Sequence, residues 1–265
     1  MTDLNTDNLL SFCLELADEA DQIAMNFFTQ NNIAIDTKKD GSLVTAADKA
    51  IEDHLRSRIA KKMPNASVLG EEAGFTKNQS DVRWIIDPID GTHGFIRGLP
   101  IWATLIAVEK DGVITAGIVS APALGKRWWA SRGAGAYRCD LLSNERNVIK
   151  ITVSNIKDIT NSQILYGSYS LTLNKWPVAD ILLRSAWRTR GFGDFWGHCL
   201  VAEGAAEVML EGEISPWDIA AVSIIVEEAG GLLTDDTGAT VITSGHCIST
   251  NKLIHQSILA SLNEK

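Results

Sequence analysis

Two apolar runs rich in branched side chains, residues 102–108 and 113–119, are separated by Glu109-Lys110-Asp111-Gly112. Asp-Gly in that setting supplies the positive-φ positions of a tight turn, so an antiparallel pair is expected there. No other feature constrains the fold as strongly. Residues 127–131 and 136–138, flanking Gly133 and Gly135, read as a second hairpin, and residues 67–69 and 84–86 as further strands. Helical periodicity surrounds this strand-rich third. Residues 7–30 carry Leu10, Leu14, Ala17, Ala24, Phe27 and Phe28 at helical spacing, and an extended piece is expected at residues 33–38. Thr45 and Asp48 form a capping-box-like pair ahead of the stripe Ile51, Leu55, Ile59.

The later chain alternates. Strands are expected at residues 163–166, 232–234 and 247–250, and helices at 178–184, 195–210, 216–229 and 252–262. Serial strands with intercalated helices predict a layered α/β fold rather than a simple doubly wound sheet. At 265 residues the chain is one large domain or two fused halves.

Charge narrows the function. With 24 basic and 33 acidic residues the net charge is -9, which argues against nucleic acid or anionic membrane as a partner. The longest apolar run spans roughly eight residues, far below the ~20 of a membrane span, and the acidic start is unlike a signal peptide. Cys13, Cys139, Cys199 and Cys247 are too far apart for a zinc knuckle or a disulfide framework, and read as reduced thiols of a cytoplasmic protein.

The most informative segment is Asp87-Pro88-Ile89-Asp90-Gly91-Thr92, where an apolar strand stops at a carboxylate. Pro88 stiffens the turn, Asp90 brings a second carboxylate, and Gly91 permits close approach of another group. The pattern fits either a polar turn or a cation site with Gly-Thr N–H groups offered to an anion. Glu71 and Glu72 end the preceding strand in the same way. Asp48 and Asp218 each follow an N-cap candidate, Thr45 and Ser215, by three residues, so each serves equally as a helix cap. Taken together, Glu71, Asp87, Asp90 and Asp218, with Asp48 nearby, form an oxygen-only set. Such a set suits magnesium, manganese or calcium and a phosphate ester, and no His or Cys spacing competes with it.

Gly70-Glu71-Glu72, Asp87 to Thr92 and Trp217-Asp218-Ile219-Ala220-Ala221, in this order, resemble the inositol monophosphatase family. KKDGSLVTAAD, from Lys38 to Asp48, resembles its upstream element. SAPALGKRWWA from Ser120, the following RGAGAY, and Gly193-Asp194-Phe195 leading into CLVAEGAAE are similar to its histidinol-phosphate phosphatase branch.

The resemblance implies an αβαβα sandwich in two halves. Residues 1–150 would carry the first metal motifs, and residues 151–265 would carry Asp218 and the substrate-selecting residues. It implies a homodimer that hydrolyses a small phosphate monoester with magnesium. Carried over, Glu71, Asp87 and the Ile89 carbonyl hold one ion, Asp87, Asp90 and Asp218 a second, and Glu71 touches a weaker third. Asp48 and Thr92 act on the attacking water, while Gly91 and Thr92 N–H groups hold the phosphate. Arg190, Asp194 and Glu211 fall where relatives contact substrate. Two carboxylates there favour a cationic substrate, so histidinol phosphate is expected, with inositol-1-phosphate or a broader set of small metabolites as alternative. A non-catalytic phosphometabolite-binding protein is the distant alternative. Where the family commonly has Asn two residues after the motif Thr, this chain has Gly94, and a loosened turn is expected.

Overall fold

The computed structural model describes residues 6–29, 35–37, 43–143, 147–240 and 242–264. In chain order the first part comprises α1 (Thr6–Phe28), β1 (Ile35–Thr37), β2 (Leu43–Thr45), α2 (Ala46–Lys62), β3 (Ser67–Gly70), β4 (Gly74–Thr76), β5 (Val82–Asp90), α3 (Thr92–Ile96), β6 (Ala103–Lys110), β7 (Val113–Ala121), β8 (Lys126–Ser131), β9 (Gly135–Asp140) and β10 (Val148–Ile151). There follow β11 (Gln163–Tyr166), α4 (Tyr169–Lys175), α5 (Ala179–Ser185), β12 (Arg188–Arg190), α6 (Asp194–Ala202), β13 (Val208–Glu211), α7 (Pro216–Glu228), β14 (Leu232–Thr234), β15 (Cys247–Thr250) and α8 (His255–Asn263).

Strands β10-β9-β8-β7-β6-β5-β3-β4 form an eight-stranded sheet, and β12-β11-β13-β15-β14 a five-stranded one. The eight-stranded sheet is covered on both faces, which is why its central strands read as continuous apolar runs. On β5, Trp84 and Ile86 pack with α1 and α2, whereas Ile85 turns to the opposite core with α6 and α7. The five-stranded sheet buries Leu165 and Met209 against Val201 of α6. Its other face meets α5 and α8 through Ile164, Val208, Leu182 and Ile258. The layers therefore run helix, sheet, helix, sheet, helix.

Residues 6–28 are helical because Leu9, Phe12, Leu16, Ala20 and Ala24, all buried, recur at steps of three and four. On α2, Ile51, Leu55 and Ile59 are fully buried, about 1.5–3 kcal/mol of hydrophobic stabilisation each. That helix starts where expected: Thr45 Oγ1 accepts the Ala47 N–H at 3.1 Å, and the Asp48 carboxylate accepts the Thr45 N–H at 2.8 Å. The hairpin at Asp111-Gly112 also forms, with both residues at positive φ.

One expected helix is corrected. Residues 195–210 are not one helix: α6 ends at Ala202, Gly204 takes φ +73, and Val208–Glu211 is a central strand of the five-stranded sheet. An apolar run buried on all sides reads alike as helix or strand. Of the extended piece expected at 33–38, residues 35–37 are a strand; Ile33 and Lys38, with the rest of 30–34 and 38–42, lie outside the described residues. Among the described residues no helix is long and apolar enough to cross a membrane.

Candidate active site

The cleft is built where four chain segments end. Strands β3 and β5 run parallel with Gly70 opposite Ile86, and the Glu71 N–H continues the ladder to the Ile86 carbonyl at 3.2 Å. Glu71, just past the end of β3, therefore lies beside Asp87, which is still paired with Leu105 of β6. Pairing of β5 with β6 shifts between Asp87 and Asp90, where Pro88 has no N–H to contribute. The turn is held from within: Asp87 Oδ1 accepts the Ile89 N–H at 3.0 Å, and Thr92 Oγ1 donates to the Ile89 carbonyl at 3.0 Å. Gly91 sits at φ +84, where a side chain would be strained.

Asp218 arrives from the other sheet's side. It is the third residue of α7, and its carboxylate accepts the Ser215 N–H at 2.7 Å. Helix α7 lies tight on β7 because Gly117 is bare; a Cβ there would meet the Ala221 carbonyl oxygen at 2.7 Å. Asp90 Oδ2 accepts the Phe195 N–H at 2.6 Å, which fixes the start of α6 against the end of β5.

Asp87, Asp90 and Asp218 each place a carboxylate oxygen within 4.8 Å of the other two. They line a 180 Å³ cleft with Glu71, Ile89, Gly91 and Thr92. Asp48 is buried at the head of α2; its Oδ2 takes both the N–H and the hydroxyl of Thr45, and its Oδ1 has no hydrogen-bond partner. Burial, then the neighbouring charges of Glu71, Asp90 and Asp218, push Asp87 well above the usual carboxylate range. Asp90 is raised likewise, by burial and then by Asp194 and Asp218. Burial raises Asp218 to about 7 and Asp48 to about 6, with the Glu71 charge adding to each against the hydrogen bonds from Ser215 and Thr45.

Among the described cleft-lining side chains His93 alone can carry positive charge. Clustered oxygen donors without an internal counter-charge, and one buried carboxylate oxygen with no partner, fit a hard divalent cation rather than zinc or copper.

Asp194 and Glu211 stand beside this cluster. Asp194 sits at φ +56 at the head of α6 and donates its N–H to Glu211 Oε1 at 3.2 Å. Both border a 70 Å³ recess shared with Asp90 and Asp218. Burial raises both carboxyls, further for Glu211 through Asp194 and less for Asp194 through His93. Arg190 is not brought to the cleft lining: it lies exposed on edge strand β12 and donates to the Thr189 carbonyl at 2.7 Å.

Two details differ from expectation or extend it. Gly94 does not loosen the turn; it lies in α3, where a Cβ would sit 2.7 Å from the Ile101 carbonyl oxygen, so its bareness admits a close packing. His198 also borders the recess, its Nδ1 2.7 Å from Ser249 Oγ, and burial lowers it to about 3, so it is neutral. A larger concavity of 580 Å³, by Ile114, Arg132 and Glu227, lies away from these carboxylates. Its Arg132 is already paired with Glu227 at 2.6 Å.

The profile of the inositol monophosphatase family matches residues 5–265. The chain belongs to the inositol monophosphatase family. A histidinol-phosphatase from Mycobacterium tuberculosis (strain ATCC 25618 / H37Rv) is 40% identical over 260 residues, 96% of this chain and 97% of the relative. One from Chlorobaculum parvum (strain DSM 263 / NCIMB 8327) is 37% identical over 257 residues, 96% of each. Among solved structures, an IMPase from Thermotoga maritima superposes with a TM-score of 0.82 at 31% identity, covering 97% of both chains. This inositol monophosphatase family member is thus a phosphoric monoester hydrolase with the αβαβα fold, and its acidic cluster suits the metal dependence of its family.

Proposed function

We propose that this phosphatase hydrolyses L-histidinol phosphate to L-histidinol and phosphate, using two or three magnesium ions per site, with manganese as a substitute. The observation that carries the substrate choice is the pair Asp194 and Glu211 beside the Asp87, Asp90 and Asp218 cluster. A second acidic pair favours a leaving group that brings an ammonium and an imidazole, and disfavours a bisphosphate. The histidinol-phosphatase relatives at 37–40% identity support the same reading. Arg190 is not needed for it.

Bound magnesium would neutralise the phosphate, lower the pKa of the attacking water and stabilise the leaving oxygen. Glu71, Asp87 and the Ile89 carbonyl would hold one ion; Asp87, Asp90 and Asp218 would hold a second. Asp48 has Oδ2 engaged by Thr45, which leaves Oδ1 to accept a hydrogen from the water. The Thr92 hydroxyl donates its hydrogen to the Ile89 carbonyl, which leaves its oxygen to accept the water's other hydrogen. The Gly91 and Thr92 N–H groups take phosphate oxygens. Water attacks directly, with no phosphoenzyme. The reading includes a cytoplasmic homodimer built of halves 1–150 and 151–265.

Side-by-side kcat/KM values for L-histidinol phosphate and inositol-1-phosphate test the choice. We expect at least about tenfold in favour of histidinol phosphate, reduced in Asp194→Asn. Equal or reversed values would overturn it in favour of inositol-1-phosphate. That second reading is supported by a fructose-1,6-bisphosphatase/inositol-1-monophosphatase from Aquifex aeolicus (strain VF5), 32% identical over 244 residues.

A further inference from the structure

Asp48, Glu52 and Arg56 recur every fourth residue of α2 and so share one face of it. Asp48 lies near enough to Glu71, which lines the cleft, for that carboxylate's charge to raise its pKa. Glu52, one turn further, is only 1% exposed although it is a carboxylate. Its Oε2 accepts the Glu72 N–H at 2.7 Å, and its Oε1 accepts the Ala73 N–H at 3.0 Å. Arg56 Nε donates to Oε1 at 2.7 Å, and Arg56 Nη2 donates to the Gly74 carbonyl at 2.5 Å. Gly70 is the vacancy that admits this carboxylate: a Cβ there would fall 2.2 Å from Glu52 Oε1.

We infer that Glu52 is a positioning residue for the cleft, tying the turn that bears Glu71 to the helix that bears Asp48. It rests on the reading of Glu71 as a metal ligand. Glu71 is fixed on its N-terminal side by the sheet, through its N–H to the Ile86 carbonyl. Glu52 fixes the two peptides that follow, so the Glu71 backbone is clamped from both sides. Water could serve the N–H groups of this partly exposed turn, and withdrawing a carboxylate and an arginine to do so is costly in itself. What the arrangement supplies is a constant separation of Asp48 and Glu71, set by one turn of a rigid helix. Arg56 balances the Glu52 charge, so Glu52 stays outside the uncompensated cluster.

The experiment compares Glu52→Gln, Gly70→Ala and Glu71→Gln in the full-length protein. It measures calorimetric affinity of the metal-free protein for magnesium, amide exchange at Glu72 and Ala73, and kcat and KM with a phosphate monoester. We expect Glu52→Gln and Gly70→Ala to speed exchange at those two amides. Both should weaken magnesium binding by about tenfold or more. At saturating magnesium KM should stay near wild type, while kcat falls. A folded Glu52→Gln or Gly70→Ala with wild-type magnesium affinity overturns the inference. So does loss of the fold in both, which would make Glu52 a residue of the fold alone. If Glu71→Gln itself leaves magnesium affinity unchanged, the functional reading fails instead, whatever Glu52→Gln does.

Discussion

Arg127 and Asp90 are both ionisable and both almost wholly withdrawn from solvent, 2% and 7% exposed, yet their surroundings are of opposite kinds. Arg127, on β8, donates from Nη1 to Asp18 at 2.8 Å, from Nη2 to Asp21 at 2.6 Å and from Nε to Ser120 at 2.9 Å. Burial opposes its charge, but the two aspartates of α1 outweigh burial and raise it. Asp90 is surrounded by Asp87, Asp194 and Asp218, with one backbone N–H in its favour. The first cluster contains its own counter-charge and binds α1 to the sheet; the second has charges of one sign. Burying like charges costs stability unless protons or a bound cation compensate them, so the sign balance marks the second cluster as the candidate site and the first as structural.

The sharpest way to break that contrast is to neutralise each cluster in turn. Asp90→Asn and Asp218→Asn should lower kcat by about a thousandfold with little loss of folded protein. Near-normal turnover in either would end the distinction. Arg127→Met should do the reverse, costing about 3–5 kcal/mol by stranding Asp21, while the folded fraction keeps its kcat. Chemical denaturation and active-site-normalised rates read both quantities.

Magnesium sharpens the contrast. At a hundred times its dissociation constant it should stabilise the native state by about 2.7 kcal/mol. Melting temperatures with and without saturating magnesium measure this, and the gain should vanish in Asp218→Asn. The smallest effect is on pH. In chelator, Asp48 and Asp218 have native pKa values of about 6 and about 7, above their unfolded values. The native state then binds protons more tightly, so this stabilisation is complete below about pH 4 and is lost as pH rises through 6 to 7. The melting temperature in chelator should fall over that window, gradually because the carboxyls share protons, and magnesium should flatten the fall.

Local chemistry was legible wherever neighbours in sequence decide it. Thr45 with Asp48 and Ser215 with Asp218 announced two helix starts, and Asp111-Gly112 its hairpin. These rest on hydrogen bonds and dihedral preferences within a few residues. What was missed depends on remote partners. Val208–Glu211 became a strand because β11 and β15 lie on either side of it. The short strands Gly74–Thr76 and Arg188–Arg190 lie at sheet edges, where three residues carry too little pattern to be read. Gly94 was misread as loosening a turn and Glu52 showed no meaning alone: one is explained by the Ile101 carbonyl and the other by a turn twenty residues away.

By itself, the order of residues determined which oxygen donors exist, which of them cap helices, and that an apolar run gives way to carboxylates at Asp87, although the strand itself continues irregularly to Asp90. Only the tertiary structure decided that they share one cleft and that Asp194 and Glu211 join them. The physical reason is repulsion: carboxylates of like charge separate in a flexible chain. They are held together here by packing and backbone donors from elsewhere, such as the Phe195 N–H on Asp90, 105 positions away.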